Sequence, residues 1–381
     1  MRLSSHIPSQ RSRTRFLLKQ ILKAVSRSFY LSLFILPRRI RQQTSLAYLF
    51  CRVADTIADT ALFPASERRQ ILEIFRRQFL LSSPSLADLA HIEASLLRPP
   101  DATQSEYLLC KHLSDCFLIL QECTPVDRKL ICDLVYTLTQ GMQMDLTHFS
   151  TTPRATLQAL PDFAALQQYT YYVAGVVGEF WTKLHNIHLY NLPDKTYHHA
   201  CILSISFGQG LQLTNILKDL GKDLAIGRCY VPRELLARLN ITLPELTQSG
   251  ALLRLRPLLF QLIHYTLYCL DQGCQYILML PPWALRSRLS GMWPLLFALQ
   301  TLAVIWSTEY LLSPQAQVKI SRRSVYITMV LSFGCLIAPV LFRKYYIHLR
   351  RHLTKLLALY QDKKAELVSL SGHMASEHSI E

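Results

Sequence analysis

Two pairs of aspartates in this chain share one spacing. Asp55 and Asp59 stand in YLFCRVADTIADT, and Asp219 and Asp223 stand in LQLTNILKDLGKD. Four residues apart on a helix, two carboxylates share one face with their Cβ atoms about 5–6 Å apart. Like charges so placed repel, and the positions around them are mainly apolar, so each pair calls for a compensating cation. Mg²⁺ suits the task, because it is held by one or two carboxylates and completes its shell with water and phosphate oxygens; Mn²⁺ can stand in for it. A single D-x-x-x-D is most often a solvated helix face. Here there are two, each accompanied by groups that bind anions. Arg52 lies one turn before Asp55, Gln212, Asn215 and Lys218 lead into Asp219, and Arg228 follows Asp223. Two acidic helices facing one another across Mg²⁺, with cations around them, form a clamp for a diphosphate. Pulling on that diphosphate ionises an allylic C–O bond by Lewis-acid assistance.

Helices must position these groups, and the rest of the chain supplies them. Of 381 residues half are apolar and only 12 are glycine, a composition that favours helix over a turn-rich sandwich or barrel. From about residue 15 to 315 apolar residues recur at helical spacing. Prolines such as Pro37, Pro64, Pro125, Pro193, Pro232 and Pro244 punctuate the pattern at helix-sized intervals. No sustained alternation of apolar and polar residues predicts a strand, so the expected class is all-α. Leu295–Leu312 is strongly apolar but carries Gln300 and Glu309, which predicts a buried core helix.

The net charge of +15 is uneven: the first acidic residue is Asp55, with eleven Lys or Arg before it. No zinc-finger spacing, RNP-like motif or basic zipper accompanies this excess, which argues against nucleic acid as a partner. The ten cysteines include no C-x-x-C pair, so neither a zinc site nor a redox motif is expected. Residues 1–25 read as a basic extension running into an amphipathic helix at Arg15–Val25. Val325–Phe342, VYITMVLSFGCLIAPVLF, holds no charge and lies between Arg322-Arg323 and Arg343-Lys344. Eighteen such residues can just cross a hydrocarbon core of roughly 30 Å, so the segment is expected to anchor the protein in membrane lipid. A basic then polar tail follows over 343–381.

Six segments carry a resemblance over roughly residues 24–325. They are SRSFY at Ser26–Tyr30, the first aspartate motif at Arg52–Asp59, GMQMDL at Gly141–Leu146, YTYYVAGVVGEFW at Tyr169–Trp181, GQGLQLTNILKDLGKDLAIGRCYVP at Gly208–Pro232 and KISRRSV at Lys319–Val325. In order and content they resemble the squalene/phytoene synthase family. The resemblance implies an isoprenoid synthase helical bundle around a central cavity, occupying 26–324 here. It implies that Asp55, Asp59, Asn215, Asp219 and Asp223 hold Mg²⁺. Ser26, Arg27, Ser28, Arg52, Gln212, Asn215, Lys218 and Arg228 would bind the prenyl diphosphate substrates. Tyr169 would act beside the departing diphosphate, together with the four aspartates, and Asp145 would line the cavity. Tyr172, Phe180, Trp181 and Phe207 are candidate walls that shield a carbocation from water, and Gly175 and Gly178 would let helices approach closely.

The function so implied is the head-to-head condensation of two farnesyl diphosphates, through presqualene diphosphate, to squalene with NADPH as reductant. The catalytic domain would lie on the cytoplasmic face of a membrane. The alternative within the family is phytoene or dehydrosqualene synthase, which needs no reductant. No nicotinamide motif decides between them, since Gly208-Gln209-Gly210 lacks the third glycine and the βαβ setting. A non-catalytic membrane scaffold of the same fold is a third reading, which the intact aspartate pairs oppose. Two departures from the family pattern sit at the second pair. Lys218 replaces the usual arginine and loses its bidentate fork, and Lys222 replaces an acidic residue.

Overall fold

The computed structural model describes residues 10–26, 29–60, 63–96, 104–149 and 157–377. It is all-α as expected, apart from a two-residue parallel ladder pairing Gln158–Ala159 (β1) with Arg228–Cys229 (β2). The helices that build the site and its surroundings are α1 (Arg38–Asp59), α2 (Pro125–His148), α3 (Phe163–Thr170), α4 (Val176–His185), α5 (Asp194–Ala225), α6 (Ala251–Met279), α7 (Leu285–Ser307), α8 (Arg322–Ile337) and α9 (Pro339–Glu377). The prolines punctuate as the sequence indicates. Pro37 and Pro193 stand immediately before α1 and α5, and Pro125 opens α2 behind Thr124, whose hydroxyl accepts the Asp127 amide at 3.2 Å.

Buried side chains gather into two clusters. One is built from the N-terminal helices with α1, α2 and α4; the other joins α5, α6 and α7 to α9. The central cavity lies on the seam between them, bounded by Leu134 and Met142 of the first cluster and Ile216 and Tyr230 of the second. Of the expected core helix Leu295–Leu312, Leu295–Ser307 lies within α7 in the core, but the helix ends at Ser307, before Glu309.

Where α4 and the π-helical turn before it, Tyr171–Gly175, meet α5 the backbones come unusually close. A Cβ added to Gly178 would stand 2.0 Å from the Ser204 carbonyl oxygen, and one on Gly208 would stand 2.3 Å from that of Ala174. Glycine is required there because backbone, unlike a flexible side chain, cannot move aside.

Three expected boundaries change. Residues 10–26 are helical, and Leu17, Ile21, Leu22 and Val25 are buried in the first cluster, so they belong to the domain and are no extension. The segment 325–342 is two helices, with α8 ending at the extended Ala338 and α9 starting at Pro339. Proline lacks the amide that would continue α8. The presumed tail from 343 is the body of α9, which buries Phe342, Tyr346, Leu353 and Leu357.

Gly208→Ala is expected to cost about 1–3 kcal/mol through overpacking. It would show as a lower denaturant midpoint at unchanged slope, and an unchanged midpoint would refute the close-approach argument.

Candidate active site

Helices α1, α2 and α5 each contribute one stripe to the cavity, and each of these stripes ends in carboxylates. On α1 the lining residues are Thr44, Ala47, Tyr48, Cys51, Asp55, Ala58 and Asp59; on α2 they are Leu134, Leu138, Met142 and Asp145; on α5 they are Gln212, Asn215, Ile216, Asp219 and Asp223. The spacings are those of a single helical face. The segment from Tyr169 to Trp181 adds Tyr169, Val173, Val177, Phe180 and Trp181. The result is a cavity of about 810 Å³, carboxylates at one end and aliphatic and aromatic side chains at the other. That is toward the upper end of the ~300–1,000 Å³ usual for small-molecule sites.

Arg228 enters by a different route. Gly227, at φ +84°, turns the chain out of α5, and its carbonyl accepts the Gln158 amide at 3.0 Å. The short ladder then holds β2 extended, so side chains alternate: Arg228 faces the cavity, Cys229 is buried behind it, and Tyr230 faces the cavity again. Arg228 lies 3.0 Å from Asp145 and 3.9 Å from Asp59. Tyr230 donates its hydroxyl to Asp145 and stacks on Tyr169 with ring centroids 4.9 Å apart, and the Tyr169 hydroxyl reaches the Tyr230 oxygen at 3.4 Å. A hydrogen-bonded line therefore runs from Tyr169 through Tyr230 to Asp145 and Arg228.

The charges in this space shape one another. Although 43% of the Asp55 side chain is accessible, the space it faces is the cavity. Loss of bulk water, then the charge of Asp59, push its carboxyl up to about 7, against the pull of Arg52. Asp223 is pushed up to about 7 by desolvation and then by Asp219. Burial pushes Asp145 up as well, opposed by Arg228. Desolvation, then Asp145, hold the Tyr169 phenol well above its ordinary value, so it is a hydrogen-bond donor at neutral pH.

The four motif aspartates, Gln212, Asn215, Arg228 and Tyr169 thus meet in one cavity. Other expected ligands do not. Ser26 is buried, donates its hydroxyl to the Leu22 carbonyl one turn back and does not line the cavity. Arg52 pairs with Glu106 and lies 3.6 Å from Asp55 without lining the cavity. Lys218 bonds Asn215 and Asp219, at 3.2 and 3.1 Å, outside the lining. Arg27 and Ser28 lie outside the described residues. Among the expected walls, Phe180 and Trp181 line the cavity, but Tyr172 and Phe207 do not; Val173 and Val177 take their place. Phe207 instead covers Gly273, in whose missing side-chain space its ring sits. Tyr230 had no expected role, although its place two residues after Arg228 puts both on one face of an extended chain.

Among the described residues no three carboxylate, histidine or cysteine side chains converge into a protein-only metal cage. The donor set fits an ion shared with a phosphate: paired carboxylates whose charge burial leaves uncompensated, with the amide side chains of Gln212 and Asn215 lining the same cavity. Lys222, which replaces an acid, donates to Asp219 at 2.8 Å and so neutralises part of the second pair.

Residues 22–324 match the family described as squalene/phytoene synthase. The chain belongs to that family. Its members are prenyltransferases of isoprenoid biosynthesis that condense prenyl diphosphates. The presqualene diphosphate synthase of Rhodopseudomonas palustris is 32% identical over 219 residues, 58% of this chain and 63% of that protein, so the chain spans less than two thirds of this relative. The squalene synthase of Eremothecium gossypii is 24% identical over 344 residues, 88% of this chain and 71% of that one. A solved structure of TcSQS in complex with the ligand BPH1237 superposes with a TM-score of 0.71 at 20% identity, covering 91% of this chain and 96% of the other. At that identity the likeness establishes the squalene synthase fold.

Tyr230→Phe keeps the stack on Tyr169 but removes the donor to Asp145. A buried charge losing one hydrogen bond is expected to slow single-turnover condensation by about 10- to 100-fold, with the melting temperature within a few degrees of the parent. Unchanged turnover would remove Tyr230 from the catalytic line.

Proposed function

We propose that this chain joins two farnesyl diphosphates head to head, forms presqualene diphosphate and reduces it to squalene with NADPH. One observation carries the condensation: both aspartate pairs, Gln212 and Asn215 rim the same cavity, whose other end is apolar and deep. Diphosphates at the rim place their prenyl chains side by side in the apolar part. Asp55, Asp59, Asn215, Asp219 and Asp223 would hold Mg²⁺, which supplies Lewis-acid pull on a departing diphosphate. Arg228, tied to Asp145, keeps a fixed positive charge at the rim where the diphosphate's negative charge grows. The Tyr169 phenol, kept protonated by burial, would turn its one proton from the long 3.4 Å contact with Tyr230 toward the leaving oxygens. Leu134, Leu138, Val173, Val177, Phe180 and Trp181 exclude water from the allylic cation. The Trp181 ring can contribute cation–π attraction of ~1–2 kcal/mol.

The squalene ending is supported by the reach of the Eremothecium gossypii match, which extends over 88% of the chain and beyond the residues the family match covers. The alternative endings are release of presqualene diphosphate, or proton loss to dehydrosqualene or phytoene.

Activity is expected to require Mg²⁺ or Mn²⁺. Asp55→Asn and Asp219→Asn should each lower turnover by about 10²-fold or more while leaving the fold intact. Full turnover in excess EDTA, or near-normal turnover by both variants, would refute the metal clamp.

Incubation with labelled farnesyl or geranylgeranyl diphosphate, with and without NADPH, followed by chromatography of the extract, should yield squalene from farnesyl diphosphate only when NADPH is present. A C40 hydrocarbon, or a C30 product that keeps its central double bond at saturating NADPH, would move the protein to the carotenoid branch. Accumulation of presqualene diphosphate would end its reaction at the first half.

A further inference from the structure

Helix α8 is built inside out. Its inward face is small and polar: Thr328 is 1% exposed, Ser332 0% and Cys335 4%. Its outward face is large and apolar: Tyr326 is 67% exposed, Val330 69% and Phe333 54%, with Ile327 and Leu331 beside them. A helix packing on a water-soluble body does the reverse, burying its Val, Leu and Phe. Here the polar groups find partners inside. Thr328 accepts from the Gln300 side chain of α7 at 2.8 Å and lies 3.1 Å from the Tyr345 hydroxyl of α9, while Ser332 donates to the Thr328 carbonyl at 2.6 Å. Small residues inward and bulky apolar residues outward are the packing of helices whose outer solvent is lipid.

The geometry also excludes a single spanning helix for this segment. Thr328 and Tyr345 are 17 residues apart and would be about 25 Å apart on one straight helix, yet their hydroxyls touch. The chain turns back at Ala338. Helix α9 is fixed to the body by Arg350 and Tyr346, both bonded to Asp271 of α6. Along its exposed side run Arg343, Lys344, His348, Arg351 and Lys355. No Asp or Glu occurs between Glu309 and Asp362, so these charges have no acid near them in sequence. An exposed apolar face and a cationic face, on the two arms of one hairpin, complement the acyl boundary and the phosphate headgroups of an anionic membrane.

We infer that the α8–α9 hairpin docks the protein on anionic bilayers, with α8 lying in the interface and its Tyr326–Val330–Phe333 face among the outer acyl chains. The hairpin does not cross the membrane. This inference is independent of which hydrocarbon the enzyme makes, and its test reads binding.

The full chain is mixed with vesicles of phosphatidylcholine alone or with phosphatidylglycerol added, and bound protein is separated by flotation. Phosphatidylglycerol vesicles are expected to bind about tenfold more strongly or better, with the gain shrinking as salt rises. Val330→Ser with Phe333→Ser should lower binding about tenfold while circular dichroism and prenyl turnover in detergent stay unchanged. Lys344→Glu with Arg351→Glu should abolish the preference for phosphatidylglycerol. Alkaline carbonate should strip the bound protein. Four results would overturn the inference: no flotation with either vesicle, binding indifferent to both double variants, retention after carbonate, or a dimer in lipid-free solution that Val330→Ser/Phe333→Ser dissociates. The last would assign the face to a second copy of this chain.

Discussion

Five carboxylates, Asp55, Asp59, Asp145, Asp219 and Asp223, face one cavity, and Arg228 is the cation among the residues that line it. In water such an imbalance is screened; in a space with apolar walls it is not. Loss of bulk water, then repulsion from Asp59 and Asp219 on their own helices, raises the proton affinity of Asp55 and Asp223; the smaller repulsion of Asp223 by Asp145 and Asp59 across the cavity would be relieved by helices moving apart. The protein must therefore hold α1, α2 and α5 at fixed separation against their own charge. Whatever enters the cavity meets negative potential at the rim and an apolar interior below. A divalent cation with a prenylated diphosphate satisfies both ends at once.

Rigidity comes from packing that leaves no slack. Gly178 and Gly208 bring α4 and the turn before it against α5 at backbone distance. Buried Thr182, whose hydroxyl reaches those of Ser204 and Tyr276 at 2.8 and 3.0 Å, ties the same interface to α6. The two-residue ladder has a comparable role for Arg228. Four residues of extended chain would be free to swing, but pairing with β1 fixes which side chains point inward. Arg228 then fixes Asp145, Asp145 receives Tyr230, and Tyr230 stacks on Tyr169. The rim is thus a connected set, in which moving one member disturbs the charge balance of the others.

The second aspartate pair is the individual feature of this chain. With Lys218 and Lys222 both on Asp219, part of the negative charge there is met from within the helix. The first pair has Arg52, itself shared with Glu106, and Arg228, itself shared with Asp145. Asp59, whose side chain is 73% exposed, is the most open of the four, the other three being partly buried.

What the sequence by itself determined is periodic and local. The i, i+4 aspartates, the helical class, the proline-marked helix starts and the core assignment of α7 all follow from spacing along one chain, because a helix converts spacing into a shared face. The charge-free run at 325–342 was legible as apolar, but its shape was not. Whether Pro339 kinks a spanning helix or closes a hairpin depends on Gln300 and Tyr345 waiting on other helices to receive Thr328. Whereas the bond of Ser26 to the Leu22 carbonyl is local to one helical turn, tertiary structure alone decided that Arg52 is engaged elsewhere, since Glu106 takes its guanidinium at shorter range than Asp55 does. It alone placed Val173 and Val177 in the wall in preference to Tyr172 and Phe207, because rotation about the axes of neighbouring helices is set by contacts such as Phe207 on Gly273. It alone joined Tyr230 to Asp145, residues 85 apart in the chain, because such a pair exists only once two helices and a short strand have met.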